Sequence, residues 1–147
     1  MDWLKWILWL LSLVQAASSN QARAASVYQA QQPTPTYYRT GKATFYHAGL
    51  MEHVAVIRGV DLGYASGFST YPDCSRIGGY LEVSVQNPHS GDWSPWSPKR
   101  IVDCSQPKDY ARHVAEGLVE LGYDDAVRYG YASSGFTRIR FYLEGDK

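Results

Sequence analysis

Residues 80–86 read YLEVSVQ, a stretch in which apolar and polar side chains alternate. Residues 136–143, FTRIRFYL, show the same two-residue period near the other end of the chain. Because successive side chains of a strand point to opposite faces of a sheet, this alternation predicts two strands that each bury one face. The fold is therefore expected to be built on a β-sheet with one buried side.

The remaining segments complete a mostly β pattern. Three shorter strands are predicted, at Gly41–Tyr46, Arg100–Cys104 and Leu118–Leu121. Two short helices are predicted, at Asp109–Glu116 and Tyr123–Tyr129. Residues 50–58 fit either a helix or a strand, and the Gly- and Pro-rich residues 59–79 and 87–99 are predicted to be loops. Short strands with one or two helices in a domain of this size predict a small closed β-barrel.

Residues 1–16 are predicted to form a secretory signal peptide. The run Trp3–Val14 is apolar except for Lys5 and Ser12, and Val14-Gln15-Ala16 suits a signal peptidase. The run is shorter than the stretch of about 18 apolar residues that a membrane-spanning helix needs. An uncleaved membrane tether and a buried helix are the alternative interpretations, and the only membrane contact expected is through such an uncleaved leader.

The rest of the chain divides into a linker and one domain. Residues 17–40 are rich in Ala, Gln, Ser and Thr and include Pro33 and Pro35, a composition typical of a flexible linker. The exported domain is therefore predicted to occupy residues 41–147, and we expect it to be a monomer. Export predicts a secreted, periplasmic or cell-wall-associated protein.

Charge argues against a nucleic-acid partner. The chain carries 14 Lys+Arg and 14 Asp+Glu, and the predicted domain alone has 11 Lys+Arg against 13 Asp+Glu. A slightly acidic domain offers no basic face for a phosphate backbone, so binding to nucleic acid is not expected. The balance suits a neutral partner such as a glycan better.

Two cysteines, Cys74 and Cys104, lie in the predicted domain. An oxidising compartment would allow them to close a loop of about 30 residues, which stabilises a fold by roughly 3 to 4 kcal/mol. Two separate buried thiols are the alternative. His53, His89 and His113 show no ligand spacing with one another or with the cysteines. These histidines are expected to be exposed, and neither a metal site nor a cofactor is predicted.

Several short motifs follow one another along residues 41–143. They are the first-strand segment Ala43–Tyr46, the turn and strand Ile77–Val83, the strand Ile101–Asp103, the strand Leu118–Leu121, and the helix start Tyr123–Ala126 with Gly130. Together they resemble the double-psi β-barrel domains of the rare lipoprotein A family and, more distantly, expansins and related secreted endoglucanases. The tripeptide Asp-Cys-Ser, at 73–75 and again at 103–105, is a hint of a pseudo-duplicated barrel. The resemblance implies an all-β, six-stranded double-psi β-barrel with short helices.

The resemblance also implies a cell-wall polysaccharide as the partner, either peptidoglycan or a related glycan. Three functions stay open: a binding module that is non-hydrolytic or weakly lytic, a peptidoglycan lytic transglycosylase, and a secreted protein-interaction or inhibitor domain. The chain departs from the family pattern at Cys104–Pro107, where family members carry Arg-Gly-Pro. Residues 60–71 lack the family's Glu and His and retain only the acid Asp61. The sequence therefore leaves both an enzyme and a binding module open.

Asp103 and Glu120 are the candidate catalytic residues. Asp103 ends an apolar strand, where partial burial favours the protonated carboxyl that a general acid needs, and a lytic transglycosylase can work with one acid. Glu120 takes the place of an aspartate that expansins keep at their groove, as the resemblance implies. Each residue also has a structural interpretation, Asp103 as a cap of the following turn and Glu120 as an ordinary strand-end acid.

A second group of residues is predicted to bind the substrate: Thr44, Tyr46, His47, Trp93 and Trp96. The first three belong to or follow the first-strand motif, where a tyrosine stacks on a sugar and a histidine moves protons near neutral pH. A core-edge tyrosine and an exposed histidine are the alternatives. The two tryptophans lie in a Pro/Ser/Gly loop, where they either form a stacking surface for a sugar or a protein, or close the end of the barrel.

Overall fold

The computed structural model describes residues 35 and 37–146, so the predicted signal peptide and most of the predicted linker lie outside the described residues. The elements are β1 (Arg39–Phe45), α1 (Leu50–Arg58), β2 (Phe68–Thr70), a 3₁₀ turn (Cys74–Arg76), β3 (Tyr80–Val85), β4 (Ser97–Asp103), α2 (Tyr110–Glu116), β5 (Leu118–Leu121), α3 (Tyr123–Arg128) and β6 (Thr137–Leu143). The predicted six-stranded all-β barrel with short helices is confirmed. None of the helices in this part of the chain has the length and apolar character needed to cross a bilayer.

The six strands close on themselves in the order β1-β5-β2-β4-β3-β6, with β6 hydrogen-bonded to β1. β1 pairs with β5 and β2 pairs with β4 in parallel, whereas the remaining neighbours are antiparallel. β2 and β5 are paired at a single position, Ser69 with Leu121. Hydrogen bonds from Tyr46 N–H to the Leu121 carbonyl and from Tyr71 N–H to the Asp103 carbonyl join the strand ends around this position. The ends of four strands therefore meet in one region.

The core fills the inside of the barrel with the apolar side chains that the two-residue period predicted. β6 alternates between buried and more exposed positions from Thr137 to Leu143, as expected for a strand with one covered face. β3 differs, because Glu82 and Ser84 are also buried. Ser84 Oγ donates to the Ser94 carbonyl at 2.7 Å, so the loop before β4 covers the second face of β3. The expectation of a solvent-facing side is therefore wrong for this strand.

Two strand boundaries differ by more than one residue from the sequence-based prediction, and one strand was not predicted. β1 begins at Arg39, two residues inside the predicted linker, because its first residues pair with β6. β2, at Phe68–Thr70, lies in a segment predicted to be loop, and β4 begins at Ser97, three residues early. Residues 50–58 form a helix, which ends where Gly59 adopts the left-handed conformation with φ 64°.

Two glycines let β1 pass close to the end of α2. A Cβ on Gly41 would lie 2.0 Å from the carbonyl oxygen of Gly117, so only glycine fits at position 41. Gly117 itself ends α2 with φ 57°, a conformation that favours glycine. This close approach fixes the position of β1, whose far end leads into the candidate site.

An ion pair is buried on the side of β4 that faces α3. Lys99 is fully buried, and its Nζ donates to Asp125 Oδ1 at 2.6 Å and to Ser66 Oγ at 3.2 Å. A buried charge is tolerated when it is paired and hydrogen-bonded, as this one is. The pair joins β4 to α3 near the start of β4. Asp103 lies at the other end of this strand.

Candidate functional site

A cleft with a volume of about 540 Å³ lies where the strand ends meet. Both candidate acids, Asp103 and Glu120, line it, and so does Tyr46. The disulfide between Cys74 and Cys104 forms part of its wall. The structure therefore brings three of the predicted site residues together in one concave, largely polar site.

Asp103 is the most heavily hydrogen-bonded carboxylate of the cleft. Its Oδ1 accepts from Arg58 Nη2 at 2.6 Å and from the backbone N–H of Cys104 at 2.9 Å. Its Oδ2 accepts from the hydroxyl of Tyr46 at 3.3 Å. Arg58 reaches this position because it is the last residue of α1. The bond to Cys104 N–H is the local capping role that the sequence left open for Asp103, and the other two contacts come from distant elements.

Tyr46 lies between the two acids and is partly buried. Burial, followed by the negative charges of Glu120 and Asp103, raises the pKa of the Tyr46 hydroxyl well above its ordinary value. The hydroxyl therefore keeps its proton and acts as a hydrogen-bond donor to the carboxylates. The extended conformation of β1 ends one residue earlier, at Phe45, and this places the ring at the rim of the barrel.

Glu120 is held by β1 and β2. It is paired in register with Thr44, whose Oγ1 donates to Glu120 Oε1 at 3.4 Å. The backbone N–H of Glu120 donates to Thr70 Oγ1 at 3.2 Å. Among the described residues, Glu120 forms no ion pair, which distinguishes it from Asp103. Thr44 thus supports the site by orienting Glu120, and its side chain is not part of the lining of the cleft.

The predicted disulfide is confirmed: Cys74 and Cys104 are bonded, 30 residues apart in sequence. It ties the 3₁₀ turn to the residue that follows Asp103. Asp73, in the first of the two Asp-Cys-Ser tripeptides, caps this turn by accepting from the Ser75 backbone N–H at 2.9 Å. The same contact lowers the pKa of the Asp73 carboxyl. The two matching tripeptides therefore meet at the disulfide, and only the second one supplies an acid to the cleft.

His113 corrects the expectation that all three remote histidines are exposed. His53 and His89 are exposed, but His113 is partly buried and lines the cleft. Its Nδ1 lies 2.6 Å from Ser105 Oγ. The contact is possible because α2 starts after the turn that follows β4 and returns along the wall of the cleft.

The other predicted substrate-binding residues lie elsewhere. His47 is exposed and does not line the cleft. Trp93 lies against the guanidinium of Arg140, 3.9 Å from the ring centroid, and Trp96 lies 5.3 Å from the ring of Tyr142 and 5.9 Å from that of Tyr38. We call the surface formed by Tyr38, Trp93, Trp96, Arg140 and Tyr142 the aromatic wall. It is separate from the cleft and runs along the outward positions of β6.

Sequence reasoning missed several residues that line the cleft, among them Arg58, Ser105, Asp109 and His113. The sequence offers only a weak indication that Arg58 belongs to the site, because a positively charged residue at the end of a helix is common and does not reveal which group it contacts.

Asp61, the only acid of residues 60–71, does not line the cleft. Within the described part of the chain, no group of three His, Cys, Asp or Glu side chains is placed to hold a metal ion.

Comparisons with known proteins assign no family to this chain. No protein-family model matches the chain, and no curated protein matches it. One solved structure that it resembles is a mutant expansin of Clavibacter michiganensis in complex with cellohexaose, at 13% identity and a TM-score of 0.47. The match covers 76% of this chain and 52% of that one, so the chain spans about half the length of the expansin. The barrel assignment therefore rests on the strand pairing of this chain.

Proposed function

We propose that the cleft binds a cell-wall polysaccharide, with peptidoglycan as the first candidate. One observation carries the proposal: Asp103 and Glu120 line a single cleft and Tyr46 lies between them. Sugar hydroxyls need acceptors, and ionised carboxylates are the strongest acceptors that a protein offers. An aromatic ring beside them supplies the apolar surface on which a sugar ring stacks. The choice of peptidoglycan comes from the sequence resemblance.

The surroundings of the cleft favour a polymer over a single sugar. A second cavity of about 130 Å³ shares His113 with the cleft, and a third of about 220 Å³ shares Tyr71 and Arg39 with the second. The three together form a chain of adjoining depressions on the surface. An extended glycan would occupy such a path, whereas a monosaccharide would fill only a part of the cleft.

Binding without cleavage is the primary function that we propose. A general acid must hold a proton toward the glycosidic oxygen. Both oxygens of Asp103 already accept hydrogen bonds from protein donors, so Arg58 or Tyr46 would have to move first. Glu120 forms no ion pair within the described residues, and it is the better placed acid for a lytic transglycosylase. Weak lytic activity through Glu120 is therefore the second candidate.

Sedimentation with insoluble glycan tests the binding function. Purified protein is incubated with peptidoglycan and, separately, with cellulose, and the bound fraction is measured after centrifugation. We expect Tyr46→Ala to weaken binding about tenfold, because it removes both the ring and a hydrogen bond to a charged group. Tyr64→Ala is the control, since Tyr64 is exposed and outside the cleft. Equal binding by Tyr46→Ala and the unmodified protein would contradict the proposal.

The lytic alternative has its own measurement, the release of anhydro-muropeptides from peptidoglycan. Release that is lost in Glu120→Gln and retained in Asp103→Asn would support Glu120 as the acid. Release that is lost only in Asp103→Asn would support Asp103 as the general acid. Binding with no release from any variant would leave the glycan-binding module.

The aromatic wall defines the third candidate, a protein-interaction or inhibitor domain. Its rings already contact one another and Arg140, so they form an ordered outer surface. If Trp93→Ala weakened sedimentation with glycan and Tyr46→Ala did not, the glycan would bind to the wall. If the unmodified protein bound neither glycan, the glycan proposal would be wrong and the interaction domain would remain.

A further inference from the structure

A chain of hydrogen bonds runs along the side of the cleft formed by α2. Asp109 Oδ1 accepts from Arg112 Nη2 at 3.3 Å, and the same Nη2 lies 3.3 Å from His113 Nε2. The other ring nitrogen of His113, Nδ1, lies 2.6 Å from Ser105 Oγ. Asp109, His113 and Ser105 line the cleft, whereas Arg112 supports them from outside.

For a neutral His113 ring, the chemistry of these groups gives the direction of the bonds. A guanidinium has only N–H donors, so His113 Nε2 must accept from Arg112. A neutral imidazole carries its one proton on the other nitrogen, and Nδ1–H therefore donates to Ser105 Oγ. The serine oxygen is thus used as an acceptor, and its own O–H proton is left to donate. Among the described residues, no other partner of Ser105 Oγ is present.

We propose that Ser105 is a ligand-positioning residue whose hydroxyl donates to an oxygen of the bound sugar, and that His113 holds it in this role. The proposal rests on the glycan-binding function and deepens it. Asp103 and Glu120 offer acceptors to a sugar, and Ser105 adds a donor on the same cleft. A sugar unit, whose hydroxyls both donate and accept, needs both kinds of group to be fixed in one orientation.

The bond direction also argues against a second use of this pair. If Ser105 were a nucleophile, His113 Nδ1 would have to accept its proton, and Nε2 would then carry the ring proton. That proton would point at the N–H of Arg112, which cannot accept it. The ring tautomer of His113 therefore decides between a donor serine and an activated serine.

The first measurement needs no ligand. In the full chain with ¹⁵N-labelled histidine, the ring nitrogen shifts of the four histidines report which nitrogen is protonated. His113→Asn assigns the His113 signals by their loss. We expect the Nδ1–H tautomer for His113, and an Nε2–H tautomer would overturn the proposal whatever the glycan results are.

The second measurement is sedimentation with peptidoglycan. We expect Ser105→Ala to weaken binding roughly fivefold, the effect of one lost hydrogen bond. Ser105→Thr keeps the hydroxyl, and His113→Asn keeps an N–H near the position of Nδ1, so both should retain most of the binding that Ser105→Ala loses. Ser90→Ala, on an exposed loop outside the cleft, is the matched control.

The outcomes separate the two proposals. If the unmodified protein binds glycan and Ser105→Ala binds equally well, the role of Ser105 is wrong and the glycan-binding function stands. If the unmodified protein binds no glycan, the function itself fails, and the role of Ser105 as a sugar donor fails with it. In that case the tautomer still shows whether His113 fixes the serine.

Discussion

At the scale of single residues, the cleft depends on a tyrosine that does not line it. Tyr131 is fully buried, and its hydroxyl donates to the backbone carbonyl of Thr44 at 3.2 Å. Thr44 in turn orients Glu120. Burial raises the pKa of the Tyr131 hydroxyl well above its ordinary value, and electrostatic interactions with Asp125 and, to a lesser extent, Tyr129 raise it further. The folded chain therefore keeps this proton at a pH where the unfolded chain loses it.

This difference predicts a loss of stability in alkali. Below pH 10, the ordinary tyrosine value, Tyr131 is protonated in both states and its contribution does not change with pH. Above that pH the unfolded state releases the proton and the folded state does not, so the free energy of unfolding falls as pH rises. We expect the free energy of unfolding of Tyr131→Phe to decrease less steeply with pH in this range. At pH 7 the variant should be about 1 kcal/mol less stable, because it lacks the hydrogen bond.

Urea unfolding at pH 7 and at several values above pH 10 measures both effects. Tyr46 also has a raised pKa, so the fall should become shallower without vanishing. Tyr110→Phe, at an exposed position, is the control. An unchanged slope in Tyr131→Phe would contradict the prediction.

The residues that sequence reasoning found and missed differ in one physical respect. Asp103 was predicted from its place at the end of an apolar strand, whereas Tyr46 and Glu120 were predicted from short motifs that resemble those of a known family. Arg58 meets Asp103 across 45 residues of sequence, a contact that only the closed barrel creates. His113 was predicted to be exposed because its own helix gives no sign of Ser105, which lies on the preceding segment.

At the scale of elements, the close approach of β1 to the end of α2 gives a sharp test. A Cβ at position 41 would overlap the carbonyl oxygen of Gly117, and both partners are backbone that cannot rotate away. We expect Gly41→Ala to lower the free energy of unfolding by about 3 kcal/mol or more. It should also weaken glycan binding, because β1 carries Thr44 and leads to Tyr46.

Gly122→Ala is the matched control for this substitution. Gly122 has an ordinary φ of −67°, and a Cβ there meets nothing within 4 Å. Chemical denaturation should show a loss of about 1 kcal/mol or less for this variant. Equal losses for the two alanine variants would show that the contact between Gly41 and Gly117 does not constrain the fold.

The two strands with a clear two-residue period could be predicted, and the shortest strand, which shows no period, could not. The alternation of residues 80–86 and 136–143 located β3 and β6 within one residue at each end. β2 has three residues, too few to show a period, and it lies among glycines that favour loop. The burial of Ser84 depends on a loop that folds back over β3, and alternation alone carries no information about such a cover.

At the scale of the whole molecule, the disulfide between Cys74 and Cys104 limits how far the unfolded chain can spread. A closed loop of 30 residues should stabilise the fold by roughly 3 to 4 kcal/mol. We therefore expect reductant to lower the urea midpoint of the protein. The variant Cys74→Ser/Cys104→Ser should unfold at that lower midpoint with or without reductant.

Mass measurement of the intact protein confirms the starting state by the absence of free thiols. A midpoint that reductant leaves unchanged, in protein shown to become reduced, would contradict the prediction. The disulfide is also consistent with folding in an oxidising compartment.

Closure of the barrel restricts how this protein meets other proteins. Each of the six strands has a hydrogen-bonded neighbour on both sides, and the pairing is short only between β2 and β5, where Ser69 faces Leu121, so the described part of the chain presents little open edge of backbone N–H and C=O groups. A partner protein, or a second copy of the domain, therefore has no long strand edge to extend by β-augmentation among the described residues. We therefore expect recognition to proceed mainly through side chains and loops, which makes it sensitive to point substitutions.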